Sequence, residues 1–176
     1  MSAVIPPCHR SQIALKAGTM SPIESMSEVE LLQRHAAVID ELLRRKVVRT
    51  RNNPIGDYTE WLVCKQLDLE LQINSQASFD AVNHASGLRY QIKGRQCDAR
   101  RVQFSAIRNL DQRGFDFVIA VVFNKEFTIR FAAKLTHAAV QHLSRHRQHV
   151  NAHIMMLNED CFNIDGVQDI RGVLCG

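Results

Sequence analysis

Paired cysteines are absent from this chain, because its five cysteines are spread singly and no C-x-x-C pair occurs. This spacing excludes a zinc ribbon and a disulfide framework, and it favours free thiols in a reducing compartment. The sequence also has no apolar run as long as a membrane span and no apolar signal core in its first residues. We therefore expect a cytoplasmic protein without a membrane partner.

Aromatic residues are also scarce, with one Trp and two Tyr, so few side chains can stack on nucleic-acid bases. Neither a helix-turn-helix signature nor a zinc finger is found. The 176 residues are 45% hydrophobic with only 8 Gly and 4 Pro, which indicates one domain with a sizeable core. The net charge is +4, and seven Lys or Arg against two acids lie between Arg89 and Arg113. This local excess of positive charge is compatible with a nucleic-acid partner.

The apolar pattern predicts a domain organisation with an N-terminal extension. Residues 1–26 lack periodicity and are expected to be a poorly ordered tail, whereas residues 27–50 form an amphipathic helix with a capping box at Ser27 and Glu30. The apolar stripe of this helix must pack on the core or on a second copy of the chain, and a homodimer through this helix is one expectation. Residues 51–176 are predicted to form an α/β domain.

Within this domain the predicted order is helix, three strands, helix, strand, which describes a mixed sheet flanked by helices. Asn53-Pro54 is a helix start, and this helix is expected to end near Leu69. The other predicted elements are strands at 69–74, 79–83, 89–95, 115–123 and 127–131 and helices at 103–110 and 136–146.

The most informative segment is a predicted hairpin, in which His84-Ala85-Ser86-Gly87 connects the second and third strands. If the loop holds two or four residues, Asp80 is opposite Gln91, and strand alternation puts Gln91 and Lys93 on the face of Asp80. A loop of three or five residues would break this alignment. The residues expected on the other face, in a core, are Phe79, Ala81, Tyr90 and Ile92. A carboxylate, an amide oxygen and an ammonium then converge, and such a set can hold a hard cation and stabilise developing negative charge.

A second carboxylate, Glu60, lies on the helix that precedes the hairpin. Its helical neighbours include Val63 and Cys64, with Leu67 one turn further, so Glu60 is on a partly buried side. Glu60 is either a solvated helical acid or a carboxylate that points into a site.

This arrangement of Glu60 on a helix, Asp80 on a strand and Gln91-Ile92-Lys93 on the next strand resembles the PD-(D/E)xK nuclease superfamily. Gln91-Ile92-Lys93 is similar to the Q-x-K variant of Mrr-like restriction nucleases, and residues 56–60 resemble the family's first helix. The resemblance covers about residues 53–123, and Phe79 stands where the family name has a proline. The wider chain also resembles a family of uncharacterised bacterial proteins. The resemblance implies a restriction-endonuclease-like αβββαβ core.

By position, the resemblance also implies roles for the site residues. Asp80 would be the principal ligand of Mg²⁺, with Mn²⁺ as an alternative ion, Glu60 would bind directly or through water, and the Gln91 side chain and the Ile92 carbonyl would complete the shell. Lys93 would position or deprotonate the attacking water. The implied activity is that of an endonuclease acting on DNA, with RNA not excluded, in a restriction or defence setting. The arginines expected to contact phosphates are Arg95, Arg100, Arg101 and Arg108.

Three other interpretations remain open. Because Gln91 replaces the usual acid, the chain could be a catalytically weak member that binds nucleic acid or serves as a subunit. His142 and His146 are four residues apart and could present a zinc site on one helical face, although surface histidines are the more ordinary explanation. Alternatively, Asp80 and Lys93 form an ordinary ion pair in an interaction protein.

Overall fold

The computed structural model of the chain describes residues 22–72, 79–107 and 110–175. The chain divides after Val38 into two units, and the second unit, from Ile39 onward, contains the sheet and the candidate site. In the described residues the fold is mixed α/β, with four α-helices and a mixed central sheet. None of the helices in these ranges is long and apolar enough to cross a membrane.

The first helix, α1, spans Glu28–Arg44. The capping box is confirmed, because the Ser27 amide donates to Glu30 Oε2 at 2.8 Å and the Glu30 amide donates to Ser27 Oγ at 3.4 Å. The helix ends at Arg44, six residues before the expected end at residue 50, and Lys46 takes a left-handed φ of 58°. Of the expected tail, residues 1–21 lie outside the described part, and Ile23–Ser25 form a 3-10 turn.

The second helix, α2, spans Ile55–Leu67. It begins beside Asn53, whose side-chain oxygen accepts a hydrogen bond from the Ile55 amide at 3.0 Å, as the Asn-Pro start predicts. It ends at Asp68, which takes a left-handed φ of 51°.

The described strands form two sheets. The central sheet has the order β1 (Glu70–Leu71), β2 (Ala81–Val82), β3 (Arg89–Gln96), β5 (Phe117–Phe123), β6 (Ile129–Thr136) and β9 (Val167–Asp169). Only β3 and β5 pair in parallel, and the other neighbours are antiparallel. The second sheet has the order β4 (Val102–Gln103), β8 (Ala152–Leu157) and β7 (Ser144–Arg147). The remaining helices are α3 (His137–Leu143) and α4 (Arg171–Leu174).

Each face of the central sheet is covered by a separate apolar core. On one face, Leu62 and Val63 of α2 and Leu174 of α4 pack with Ile119 and Val121 of β5. The other core joins alternate residues of β5 and β6 to α3 and to the inner face of the second sheet, represented by Val102, Met155 and Leu157. The uninterrupted apolar sequence of β5 follows from this burial on both faces.

The predicted helix at 103–110 is wrong. Val102–Gln103 forms β4, Ile107 makes an isolated bridge with His153, and a 3-10 turn begins at Leu110. The reason is tertiary, because the amides and carbonyls of this segment bond with β8, about fifty residues later in the chain. The connection between the parallel strands β3 and β5 therefore contributes a strand to the second sheet. The expected αβββαβ order is thus not reproduced at its second helix.

Candidate active site

The hairpin has the expected register. Ala81 pairs with Tyr90 and Val82 with Arg89, and the Asn83 amide donates to the Leu88 carbonyl, so four residues form the loop. Gly87 takes a φ of +69°, which explains why the turn uses glycine. The alternative of a loop with an odd number of residues is therefore excluded.

Asp80 lies one residue before β2, where the ladder between β2 and β3 ends. Its amide donates to the Tyr90 carbonyl at 2.8 Å, and its Oδ2 accepts from the Ile92 amide at 2.6 Å. The carboxylate thus takes the place of a strand partner at the edge of β3. This bond fixes one oxygen of Asp80 against β3.

The alternation expected before Asp80 is not maintained. Ala81, Tyr90 and Ile92 are buried in the core beneath α2, as predicted, but Phe79 packs against the core on the opposite face. Regular alternation requires a regular strand, and β2 begins only at Ala81. The expected position of Phe79 is therefore wrong.

Gln91 and Lys93 lie on one face of β3, beside Val118 and Ala120 of β5. Both side chains are half-buried. The residue between them, Ile92, is buried in the core beneath α2, on the opposite face of the sheet. The side-chain oxygen of Gln91 is buried and has no hydrogen-bond partner. A buried carbonyl without a partner costs about 1–3 kcal/mol, so this oxygen is suited to a cation or another donor.

Glu60 projects from α2 with only 16% of its side chain exposed. Burial is the largest cause that raises its pKa, to about 7, and the negative charge of Asp80 raises it further. The charges of Arg49 and Lys93 act in the opposite direction. The charges of Asp80 and Lys93 thus both act on the carboxyl group of Glu60.

Arg49 also contacts the candidate site, although no sequence pattern assigns it there. Its guanidinium forms an ion pair with Glu60 and reaches Asp57 Oδ1 at 3.4 Å. The amides of Arg49 and Thr50 both donate to Asp57 Oδ2, at 2.8 and 2.9 Å, which anchors the connection to the first turn of α2. No local pattern identifies this contact, since Arg49 and Glu60 are eleven residues apart.

Gly94 and Thr59 set the distance between α2 and β3. A Cβ on Gly94 would collide with the Thr59 side chain and would lie 2.9 Å from the Ile55 carbonyl oxygen. Thr59 is fully buried, and its hydroxyl donates to the same carbonyl at 2.5 Å. Because Glu60 follows Thr59 on α2, this close approach sets how near the helix that carries Glu60 lies to β3. A glycine inside a strand is a general sign of such an approach.

The metal expectation rests on the chemistry of the oxygen donors and not on a cluster of acids. Within the described ranges there is no group of three or more His, Cys, Asp or Glu side chains that could hold a metal ion. The oxygens of Asp80 and Glu60 and the partnerless oxygen of Gln91 are the hard donors that suit Mg²⁺. The residues present therefore fit a weakly held Mg²⁺ better than a transition metal.

Two other expectations about charged side chains are corrected. The histidine pair is not on one helical face, because α3 ends at Leu143 and His146 lies on β7, opposite His153. The ion pair between Asp80 and Lys93 does not form among the described residues, where Asp80 instead accepts from the Ile92 amide. The structure thus removes the specific basis of the zinc and ion-pair interpretations.

Three of the four predicted phosphate-binding arginines lie in the described residues, and they occupy different positions. Arg95 is exposed on β3, and it lies on the same face of the strand as Gln91 and Lys93. Arg100 lines a cavity of about 170 Å³ with Arg130 and Glu159, whereas Arg101 directly precedes β4 and lines a depression on the second sheet. Arg108 lies outside the described residues.

Comparisons with known proteins do not assign this chain to a family. No family model matches it, and no curated protein has a significantly similar sequence. The class established by the structure is therefore an α/β protein with a mixed central sheet and a group of interacting charged residues at the edge of β3.

Glu60→Gln is expected to remove a pH dependence of stability. The folded-state pKa of Glu60, about 7, is above the unfolded value of about 4.3, so the folded protein binds more protons between these values. The contribution of Glu60 to the free energy of unfolding is fully present below about pH 4.3 and is lost as the pH rises through 7. The loss is on the order of 3 kcal/mol. Urea unfolding in EDTA at pH 5 and pH 8 measures it.

The control for this prediction is Glu126→Gln, which neutralises an acid whose side chain is 57% exposed. The free energy of unfolding of Glu60→Gln relative to wild type should rise between pH 5 and pH 8, whereas that of the control should not change. Parallel pH profiles for wild type and Glu60→Gln would show that burial does not disfavour the Glu60 charge.

Proposed function

We propose that this chain is a metal-dependent nuclease that hydrolyses DNA phosphodiester bonds, with Mg²⁺ or Mn²⁺ as its ion. The observation that carries the proposal is the edge of β3, where the carboxylate of Asp80 is fixed by the Ile92 amide and the adjacent residue, Gln91, has a buried side-chain oxygen without a partner. The raised pKa of Glu60 indicates that this second acid shares the same electrostatic environment. A perturbed acid near such a cluster is typical of functional sites.

The protein side chains have separate roles in this proposal. Asp80 and Gln91 bind the ion through oxygen, Glu60 binds it directly or through water, and the Ile92 carbonyl completes the shell. A bound Mg²⁺ would supply Lewis-acid polarisation of the scissile phosphate. Lys93 orients the attacking water or accepts its proton, and its positive charge offsets the negative charge that develops on the phosphorane-like transition state. These roles, and the restriction or defence setting, follow the family resemblance.

The ion pair between Arg49 and Glu60 favours a second candidate function. A cation already neutralises Glu60, and Gln91 brings one negative charge fewer than an acid would, so the metal affinity of the site is reduced. The second candidate is therefore a catalytically weak member of the same fold that binds nucleic acid or acts as a subunit. A homodimer through α1 belongs to either proposal, since Val29, Leu32 and Val38 are exposed apolar residues.

The test is cleavage of supercoiled and linear DNA by the purified wild type in Mg²⁺, Mn²⁺ and EDTA, beside Asp80→Asn. We expect metal-dependent nicking that falls at least about a hundredfold in Asp80→Asn, because the amide removes a charge from the metal site. The variant should still fold, since an amide oxygen can accept from the Ile92 amide. A folded wild type that binds DNA without cutting it would favour the second candidate. Cleavage that persists in EDTA would contradict the proposed role of the metal ion.

A further inference from the structure

The outer face of the second sheet carries a cluster of arginines. The residues on this face are Leu143, Arg145 and Arg147 from α3 and β7, Ile154 and Met156 from β8, and Arg101 and Gln103 from the β4 segment. The registers Arg145↔Ile154 and Gln103↔Met156 put these side chains on the same side, opposite the buried Met155 and Leu157. Together they line a depression of about 310 Å³.

The charge of this face is unbalanced. Arg101, Arg145 and Arg147 are all exposed, and no acid is among the residues that line the depression. In the described ranges none of the three arginines forms an ion pair, whereas other exposed arginines, such as Arg44 and Arg45, pair with Glu41. Unpaired like charges on one small surface repel one another, so the face is complementary to an anionic partner.

We propose that this face binds the phosphate backbone of DNA. All three cations are arginines, whose guanidinium groups match phosphate oxygens in a bidentate geometry. Arg145 and Arg147 are two residues apart on a strand, about 7 Å, so both can reach phosphates of one DNA strand. No aromatic side chain lines the depression for base stacking, so the contacts are to the backbone and independent of sequence.

This surface extends the proposed function by assigning a DNA contact that is separate from the edge of β3. It rests on that proposal only for the choice of DNA as the partner. The sequence predicted a phosphate contact for Arg101 but not for Arg145 and Arg147, which lie in the segment where the histidines were the candidate residues. The second sheet brings them together through the pairing of β4 and β7 with β8.

The experiment is fluorescence anisotropy of a labelled 30-base-pair duplex in EDTA, with the double variant Arg145→Gln and Arg147→Gln. We expect affinity at moderate salt to fall about tenfold or more, and the slope of log K against log salt to decrease by about 1.8, for two lost phosphate contacts. The matched control is Arg44→Gln with Arg45→Gln, which removes the same charge from α1 and should change affinity less than about twofold.

Further variants and controls separate folding effects from ligand effects. Arg145→Lys with Arg147→Lys should recover the salt slope, because it keeps both charges. A melting temperature of the double Gln variant equal to that of wild type shows that the variant is folded. The proposal would be overturned if Arg44→Gln with Arg45→Gln lost as much DNA affinity as Arg145→Gln with Arg147→Gln. It would also be overturned if Arg145→Gln with Arg147→Gln lost no DNA affinity. Displacement of the duplex by polyglutamate as readily as by unlabelled DNA would also overturn it, in favour of an acidic protein partner.

The outcome is separable from that of the proposed function. Binding through this face without cleavage in Mg²⁺ would leave the inference standing and remove the nuclease proposal. Cleavage that is insensitive to Arg145 and Arg147, with unchanged DNA affinity, would do the reverse. A wild type that binds no duplex in EDTA would overturn the proposed face.

Discussion

Lys93→Met is expected to reduce metal-dependent DNA cleavage by about a thousandfold, because it removes a charge that acts mainly in the transition state. Lys93 lies beside Ala120 on the face of Gln91, and its charge already acts on Glu60. Methionine keeps much of the aliphatic length, so packing on β3 is maintained. Single-turnover cleavage at saturating protein measures the loss without a contribution from product release.

Lys125→Met is the matched control for this substitution. Lys125 lies in the turn between β5 and β6, with 83% of its side chain exposed, so the same charge is removed far from any packed surface. Cleavage by the control should stay within about twofold of wild type. If Lys93→Met cut DNA as fast as Lys125→Met, Lys93 would have no catalytic role and the proposed site would be wrong.

Gly94→Ala is expected to destabilise the protein by about 3 kcal/mol, at the upper end for overpacked positions. The added Cβ would meet both Thr59 and the Ile55 carbonyl, and backbone cannot move away as a flexible side chain can. The helix α2 must therefore shift away from β3, which separates Glu60 from the edge of the strand. Urea unfolding measures the stability, and a smaller upward shift in the pKa of Glu60 reports the displacement.

Gly56→Ala gives the control on the same helix. A Cβ at Gly56 meets nothing within 4 Å, so alanine should be neutral or stabilising by up to about 1 kcal/mol. Combining Gly94→Ala with Thr59→Ala should recover part of the stability, because the nearest colliding atom, Thr59 Oγ1, is removed. Equal stabilities of the two single variants would show that α2 does not pack closely on Gly94.

Elements whose signals are local could be predicted from the sequence. The capping box at Ser27 set the start of α1, Asn53 set that of α2, and the turn ending at Gly87 determined the register of β2 against β3. The apolar run of β5 was also predicted correctly as a buried strand. In each case the interacting groups are within a few residues, so local chemistry is sufficient.

Elements that depend on distant partners could not be predicted. The segment at 103–110 has an apolar pattern compatible with a helix, but pairing with β8 makes its start a strand. The same strand pairs with β7, which ends α3 at Leu143 and places His146 outside the helix. Phe79 faced the opposite core because strand regularity ends at Ala81, which periodicity alone does not reveal.

The sequence by itself determined the register of the hairpin and predicted the residues of the candidate site. Only the tertiary structure decided that Arg49 neutralises Glu60, that Gly94 admits α2 close to β3, and that three arginines share one face of the second sheet. The physical reason is the range of the interactions. Turn and cap chemistry acts between neighbours in the chain, whereas packing and charge act between any groups that folding brings together.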